Sequence, residues 1–144
     1  MAGNLERSKE FFDKLSSSNL HLVDEFYDKN TVFQDPVHQL KGSQAVKAYY
    51  AGLYKNVESI RFEYGKSIES GDVVSLTWRM YLKAPAIDSK GITVDGVSLI
   101  TFGGPEGKAI EHRDYFDMGE FIYERLPILK SIIKYIKGRL SSLF

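Results

Sequence analysis

Asp35, Arg79 and Asp114 are the side chains whose types could perform acid–base chemistry together, although they lie far apart along the chain. Two carboxylates beside one guanidinium in a low-dielectric cleft have their pKa values pushed apart, which leaves one acid and one base at neutral pH. The ordinary alternative is a turn residue, a surface cation and its surface partner. We predict the catalytic arrangement, with Asp114 as principal acid or base, Arg79 as its orienting partner and Asp35 as a second base.

The segment from Ala109 to Phe116 carries Asp114 and is predicted to be a strand. Glycines and a proline at 103–108 supply a turn before it, and its side chains alternate with a period of two. His112 and Asp114 therefore share one face, between apolar neighbours. A carboxylate there costs several kcal/mol unless a cation or hydrogen-bond donors meet it, so a partner is expected. His112 itself could be a core histidine or a pocket donor.

A second alternating strand, from Val73 to Lys83, offers that partner. Its apolar face consists of Val74, Leu76, Trp78, Met80 and Leu82. The opposite face, with hydroxyls around Arg79, could be either a polar cavity wall or a solvated surface. On the first interpretation Arg79 meets Asp114, and Tyr81 donates a hydrogen bond to a developing oxyanion.

The composition favours a single globular domain with room for a pocket. The 144 residues are 43% hydrophobic and 13% aromatic, which argues against disorder. The 19 basic and 19 acidic residues balance, so no nucleic acid partner is expected. Cysteine is absent and the three histidines have no paired spacing, so we expect neither a metal nor another cofactor. The N-terminal residues lack the basic start and apolar run of a signal peptide, which predicts a cytoplasmic protein.

The order of the elements indicates the α+β class. Helical periodicity covers three segments, at about 5–15, 19–28 and 43–53. A brief strand at 31–34 is stopped by Asp35 and Pro36, because proline disfavours helix before it and cannot donate to a ladder. Alternating strands follow at about 60–64, 73–83, 92–102 and 109–116. Their short connections favour antiparallel pairing, with the helices packed on one face of a curved sheet.

The last segment, from Pro127 onward, is predicted to be an amphipathic helix. Its apolar stripe is formed by Ile128, Ile132, Ile136 and Leu140. Its basic residues are Lys130, Lys134, Lys137 and Arg139. We expect this helix to pack on the domain, with a dimer contact or a lid over a cavity as alternatives. A membrane surface is not expected as its partner.

The whole pattern resembles the nuclear transport factor two-like superfamily, within the SnoaL-like group of polyketide cyclases, ketosteroid isomerases and limonene epoxide hydrolases. The resemblance extends from Phe11 to Phe121. Three segments carry the resemblance. They are residues 32–36, the helix that begins at Gly42 and contains Tyr49 and Tyr50, and residues 107–110 followed by 113–117. It implies a cone-shaped, cystatin-like domain over 1–126 with a mixed or antiparallel sheet, and a C-terminal helical extension of the same domain over 127–144.

Ketosteroid isomerases supply the first set of roles that the resemblance implies. Asp35 matches their proton-shuttling base. Their carbonyl-polarising tyrosine falls on Phe11 or Phe12, and their protonated aspartic acid falls near Ser98.

Limonene epoxide hydrolases and polyketide cyclases supply the second set. Arg79 and Asp114 match the arginine and the water-activating aspartate of the hydrolases, whose third member falls on Tyr81. Their water-holding tyrosine and asparagine fall on Phe33 and Asp35. The acid–base aspartate of polyketide cyclases also matches Asp114.

Together these observations predict a cofactor-independent isomerase, cyclase or epoxide hydrolase-like lyase or hydrolase acting on a small apolar ligand. The expected ligand-binding residues are Phe12, Phe33, His38, Tyr49, Ser98, His112 and Phe116. The alternative is a noncatalytic ligand-binding or protein-interaction domain of the same fold. Convergence of Asp35, Arg79 and Asp114 in a dry cavity would favour the enzyme, whereas a filled cavity or an outward Arg79 would favour the alternative. A homodimer is expected because the apolar face of the 73–83 strand needs cover.

Overall fold

The chain forms helices on one face of a curved mixed sheet, the predicted α+β arrangement. The computed structural model describes residues 3–86 and 88–144, apart from the side chain of Glu124. The helices are α1 (Asn4–Lys14), α2 (Leu22–Phe26), α3 (Ser43–Asn56), α4 (Met118–Phe121) and α5 (Pro127–Leu143), with a 3-10 turn at Tyr123–Arg125. The strands are β1 (Tyr27–Gln34), β2 (Gln39–Lys41), β3 (Ser59–Tyr64), β4 (Ile68–Ser70), β5 (Val73–Ala84), β6 (Asp88–Gly103) and β7 (Lys108–Phe116).

The strand order is β2-β1-β7-β6-β5-β3, with β4 pairing to β5. All the strand pairs are antiparallel except β1 with β7, which is parallel and makes the sheet mixed. The tight turn between β6 and β7 contains Gly104 and Gly107 with φ of 73° and 64°, a backbone conformation that glycine adopts without strain. In the register that this turn sets, Ser98 of β6 lies directly opposite Asp114 of β7.

The helices cover the apolar face of the sheet. Val74 and Leu76 on β5 are fully buried, and Val46 of α3 is buried against the same core. Phe11 of α1 stacks on Phe26 with 4.3 Å between ring centroids. The other face of β5 is solvated, which decides between the two interpretations that the alternation allowed.

Strand β1 begins earlier than the sequence pattern predicts. The predicted second helix extends to about Asp28, whereas α2 ends at Phe26 and the chain continues directly into β1. Tyr27 pairs with Ala109 of β7, and both residues are buried. This long-range pairing overrides the local helical periodicity.

Helix α5 forms as predicted, but it does not pack on the domain. It has no buried residue, and Ile132 and Ile136 are each about half exposed, at 48% and 49%. The expectation of a packed helix is therefore wrong. The inner face of the sheet is already covered by α1, α2 and α3, which leaves the α5 stripe without a core to join.

Candidate active site

A cavity of about 250 Å³ lies between the inner face of the sheet and helices α1 and α3. Its aromatic lining consists of Phe12, Phe33, Tyr49, Tyr50, Tyr54, Phe62, Tyr64, Trp78, Phe116 and Phe121. Apart from the tyrosines, its polar lining consists of Asp35, His38, Ser98 and Asp114. A concave, mostly apolar wall with a few convergent polar groups is the usual form of a small-molecule site.

Asp114 places a carboxylate in this aromatic wall. Its Oδ1 atom accepts hydrogen bonds from Nε2 of His112, at 2.6 Å, and from the hydroxyl of Ser98. The strand period places His112 and Asp114 on the same face of β7, and the register places Ser98 across from them. Among the described residues, Oδ2 of Asp114 has no hydrogen-bond partner, so this oxygen is the one available to a ligand.

His112 connects Asp114 to a buried chain of tyrosines. The histidine is 1% exposed, and its Nδ1 atom lies 2.7 Å from the hydroxyl of Tyr27. That hydroxyl lies 3.0 Å from the hydroxyl of Tyr50. Each donor meets an acceptor when Tyr50 donates to Tyr27, Tyr27 donates to Nδ1, and the Nε2–H group donates to Asp114.

The two buried tyrosines are held as neutral phenols. Burial raises the pKa of Tyr27 and of Tyr50 well above the ordinary value of 10.0. The negative charge of Asp114 contributes to both shifts in the same direction. Both hydroxyls therefore keep their protons, so Tyr27 can donate to Nδ1 of His112 while the Nε2–H group donates to the carboxylate.

Trp78 fixes the other donor to Asp114. Its indole Nε1–H donates to the hydroxyl of Ser98 at 2.9 Å, so the Ser98 proton is left to point at the carboxylate. The indole ring occupies the space where a Cβ atom on Gly96 would lie. Glycine at this position therefore allows the ring to lie flat across β6 and reach Ser98.

Asp35 lies at a different part of the lining and has more donors. Its Oδ1 atom accepts from the backbone N–H groups of Val37 and His38, at 2.8 and 2.5 Å, which closes the turn after β1. The His38 ring lies 3.2 Å from the same oxygen. The Tyr49 hydroxyl is 3.5 Å from Oδ2, and burial, together with the charge of Asp35, raises the pKa of Tyr49. Asp35 is thus largely occupied with holding its turn.

Arg79 and Tyr81 lie on the outer face of the sheet, outside the cavity. Arg79 forms a two-point ion pair with Asp95, at 2.7 and 3.2 Å, and both side chains are more than half exposed. The Tyr81 hydroxyl donates to Glu63 at 3.0 Å. The expected cluster around Arg79 is corrected accordingly: odd-numbered side chains of β5 point away from the face that holds Asp114. The partners of Asp114 are His112 and Ser98.

The remaining predicted residues lie at or directly behind the cavity wall. Six of them line it: Phe12, Phe33, His38, Tyr49, Ser98 and Phe116. His112 lies behind Asp114 and reaches the cavity through it. Sequence reasoning missed Tyr27, which it placed in a helix, and the roles of Trp78 and Tyr54. For Trp78 the signal was present, since a tryptophan on an apolar strand face needs a buried acceptor for its N–H group.

No metal centre is apparent in the part of the chain that the structure describes. Within residues 3–86 and 88–144, no group of three or more histidine, aspartate or glutamate side chains lies close enough together to hold a metal ion.

The fold and the cavity define a nuclear transport factor two-like domain with a ligand-sized pocket. The model of the SnoaL-like domain family matches residues 8–112, so the chain belongs to that family. The match begins at Ser8 within α1 and continues through β6 to His112 of β7.

Solved structures share this fold at low sequence identity. A candidate SnoaL-like polyketide cyclase from Shewanella putrefaciens CN-32 has a TM-score of 0.71 and 14% identity, covering 84% of this chain and 95% of its own. A candidate isomerase of the SnoaL-like family from Agrobacterium tumefaciens strain C58 has a TM-score of 0.59 and 21% identity, covering 74% and 88%. A protein of ketosteroid isomerase-like fold from Catenulispora acidiphila, in complex with trimethylamine, has a TM-score of 0.63 and 13% identity, covering 72% and 78%.

Proposed function

We propose that the cavity is the active site of an enzyme that moves a proton on a small, largely apolar molecule, with Asp114 as the catalytic acid–base group. The observation that carries the proposal is the environment of Asp114, a carboxylate fixed by His112 and Ser98 within an aromatic wall. A carboxylate oriented by donors, with one oxygen left for the ligand, can take a proton from one atom of a substrate and return it to another.

In the proposed reaction, Oδ2 of Asp114 takes a proton from a carbon next to a carbonyl group, and the electrons of the C–H bond move onto the carbonyl oxygen. If the substrate also has a carbon–carbon double bond in the β,γ position, returning the same proton to the far end of the resulting dienolate completes an isomerisation. If it has a second carbonyl group, attack of the enolate carbon on that carbonyl forms a ring, and the proton on Asp114 passes to the new alkoxide oxygen. His112 and Ser98 act as positioning residues, because they hold Oδ1 and so fix the direction of Oδ2.

Tyr54 is our candidate donor to the developing oxyanion. It lines the cavity, and among the described residues its hydroxyl has no hydrogen-bond partner. Burial raises its pKa to about 12, so it remains a phenol that can donate. It takes the role expected of Tyr81, which faces solvent. A Tyr54→Phe variant should then lower kcat more than it weakens ligand binding.

Hydrogen–deuterium exchange tests the proposal without knowledge of the natural product. A panel of small apolar ketones and 1,3-dicarbonyl compounds is incubated with the protein in D2O, and exchange at the carbon next to the carbonyl is followed by NMR. We expect catalysed exchange for at least one compound, lowered about 10²- to 10⁴-fold by Asp114→Asn. Asp95→Asn is the matched control, since it makes the same change on the outer face.

Binding is measured in the same samples through Trp78, the single tryptophan of the chain, which lines the cavity. The proposal is supported if a ligand changes the emission of Trp78 and the catalysed exchange is lost in Asp114→Asn. Ligand-dependent emission with no exchange in the native protein argues for a noncatalytic binding domain. Exchange that survives in Asp114→Asn contradicts the role of Asp114.

The noncatalytic alternative has one specific observation in its favour. Arg79 points outward, and Asp35 holds its turn. Of the three expected ionisable groups, Asp114 is therefore the one that remains available to a ligand in the cavity. A carrier of apolar molecules would use that group as an anchor for a donor on the ligand. In that case Asp114→Asn would weaken binding, and no exchange would be detectable in either protein.

A homodimer remains a prediction, on a different surface from the one first expected. The apolar face of β5 is covered by the helices of the same chain. The outer face carries exposed apolar side chains on neighbouring strands, namely Leu99 and Tyr115. A second copy that covers these residues would be detected by sedimentation at micromolar concentration, and Leu99→Glu should disrupt it.

A further inference from the structure

Helix α5 differs from the other long helices in having no buried residue. Helices α1 and α3 each bury side chains in the core, including Phe11 and Val46. On α5, Ile132, Ile136 and Leu140 are each about half exposed. An apolar stripe left in water along a whole helix is unfavourable, and surfaces of this kind mark contact sites.

The apolar stripe of α5 is confined to one side of the helix, and Arg139 falls within it. With 100° between successive residues, its members fall within an arc of about 140°. These members are Ile128, Leu129, Ile132, Ile133, Ile136, Leu140 and Leu143. The lysines occupy the opposite side and one border of the arc. A helix with one apolar side and one basic side is suited to an interface between water and an apolar phase.

The charge of this segment restricts what can cover the stripe. Five of the 19 basic residues lie from Arg125 onward, and none of the 19 acidic residues does. A second α5 helix carries the same positive charge, so it offers this segment no charge complementarity. An anionic surface is instead complementary to the segment along its whole length.

The length of α5 decides how it can meet a lipid phase. It has 17 residues, and a bilayer-spanning helix needs about 20 predominantly apolar ones. Within residues 3–86 and 88–144, every helix is too short or too polar to cross a membrane. Association with lipid therefore requires α5 to lie in the plane of the surface.

We propose that α5 docks in the plane of an anionic lipid surface, with its isoleucine and leucine stripe inserted between the headgroups and its basic side chains contacting them. This reverses the expectation from the sequence, in which the stripe packed on the domain and a membrane partner was not expected. Phe121 and Ile122 line the cavity and lie just before the segment that leads into α5. Docking therefore keeps the cavity within a few residues of a phase in which apolar molecules concentrate.

Flotation of the full chain with vesicles tests the proposal. Vesicles of phosphatidylcholine alone are compared with vesicles that also contain phosphatidylserine. We expect binding only to the anionic vesicles, weakening as salt is added. Since each basic side chain near such a surface contributes about 1 kcal/mol, the double variant Lys130→Gln/Lys134→Gln should lower the partition coefficient about 25-fold. Lys55→Gln/Lys66→Gln, which removes two exposed charges elsewhere, should leave it unchanged.

The apolar part of the proposal has its own matched pair. Ile132→Glu should abolish flotation, whereas Ile68→Glu, at a 68% exposed isoleucine on β4, should not. Equal binding to neutral and anionic vesicles, or no binding to either, would overturn the proposal. So would sedimentation showing a dimer that Ile132→Glu dissociates, because the stripe would then be covered by a second copy. None of these outcomes depends on whether the cavity is catalytic.

Discussion

The two faces of the β5–β6–β7 sheet carry the same kinds of side chain with opposite consequences. On the outer face, Arg79 and Asp95 form an ion pair in water, with both side chains more than half exposed. On the inner face, His112 and Asp114 form a pair in which the histidine is 1% exposed. Water screens the outer pair and weakens its effect, whereas the inner pair acts in a low dielectric and is fixed by further hydrogen bonds.

This contrast shows why residue types alone pointed to the wrong partner for Asp114. The guanidinium of Arg79 is a stronger cation than a histidine ring, but Arg79 is one of the β5 side chains that face solvent. His112 lies two positions before Asp114 on the same face of β7, and Ser98 is the register partner of Asp114 on β6. Both side chains therefore lie next to the carboxylate. Two side chains of the sheet can contact each other only if they point to the same side of it, and this condition decides the partners of Asp114.

Alanine substitutions at two neighbouring residues of β6 should show the largest difference in the free energy of unfolding between the two faces. Ile100 is fully buried on the inner face, and Leu99 is 39% exposed on the outer one. We expect Ile100→Ala to lower the free energy of unfolding by about 2–5 kcal/mol, because it leaves a cavity in the core. Leu99→Ala should cost less than about 1 kcal/mol. Urea denaturation at a protein concentration where sedimentation shows monomer measures both, and equal losses there would contradict the division of the sheet into a packed face and a solvated face.

Gly96→Ala tests how closely the inner face is packed around Trp78. The new Cβ atom would overlap the indole ring, so we expect a loss of about 1–3 kcal/mol and a shift in tryptophan emission as the ring moves away from Ser98. Gly52→Ala is the control, because a Cβ atom there meets nothing within 4 Å. That variant should stabilise α3 by about 0.5–1 kcal/mol. An unshifted emission in Gly96→Ala would contradict the proposed packing.

Alkaline pH should destabilise the inner face through its tyrosines. The folded-state pKa values of Tyr27 and Tyr50 are raised above the ordinary 10.0, so their stabilising effect is complete below about pH 10 and is lost as the pH rises further. Each tyrosine that ionises only in the unfolded chain lowers the free energy of unfolding by about 1.4 kcal/mol per pH unit. Tyr50→Phe should make the decline less steep, whereas an unaltered slope would argue against a buried Tyr50.

Removing the ion pair on the outer face should have the smallest effect on stability. We expect Arg79→Gln to change neither the denaturation midpoint beyond experimental scatter nor the emission of Trp78, because the pair is solvated and lies across the sheet from the cavity. Circular dichroism and fluorescence during denaturation provide both measurements. A midpoint shift as large as that of Gly96→Ala would show that the outer face is covered by another surface.

Sequence periodicity accounts for much of the fold. Alternation in 73–83, 92–102 and 109–116 predicted β5, β6 and β7, and the short glycine-rich turn before 109 predicted the antiparallel pairing of β6 with β7. Four of the aromatic residues that line the pocket were also predicted to bind a ligand, namely Phe12, Phe33, Tyr49 and Phe116. Two short strands, Gln39–Lys41 and Ile68–Ser70, were not predicted, since three residues are too few for a period to be detected.

The remaining features depend on tertiary contacts that no local pattern contains. Alternation divides β5 into two faces but does not say which face receives the helices, so Arg79 could be assigned to either side. Tyr27 is part of a helical pattern until its pairing with Ala109 is known. For α5, the 3.6-residue period predicts an apolar stripe but gives no information about the surface that covers it.

We propose that Asp114 acts together with His112 and independently of Arg79, and a double-mutant cycle on proton exchange separates these two relationships. With the best ketone of the panel as substrate, we expect His112→Gln to lower the exchange rate at least about 10-fold, since it loosens the carboxylate. The same change should have no further effect in the Asp114→Asn background, and Arg79→Gln should leave the native rate intact. A rate that falls as far in Arg79→Gln as in Asp114→Asn would contradict the account.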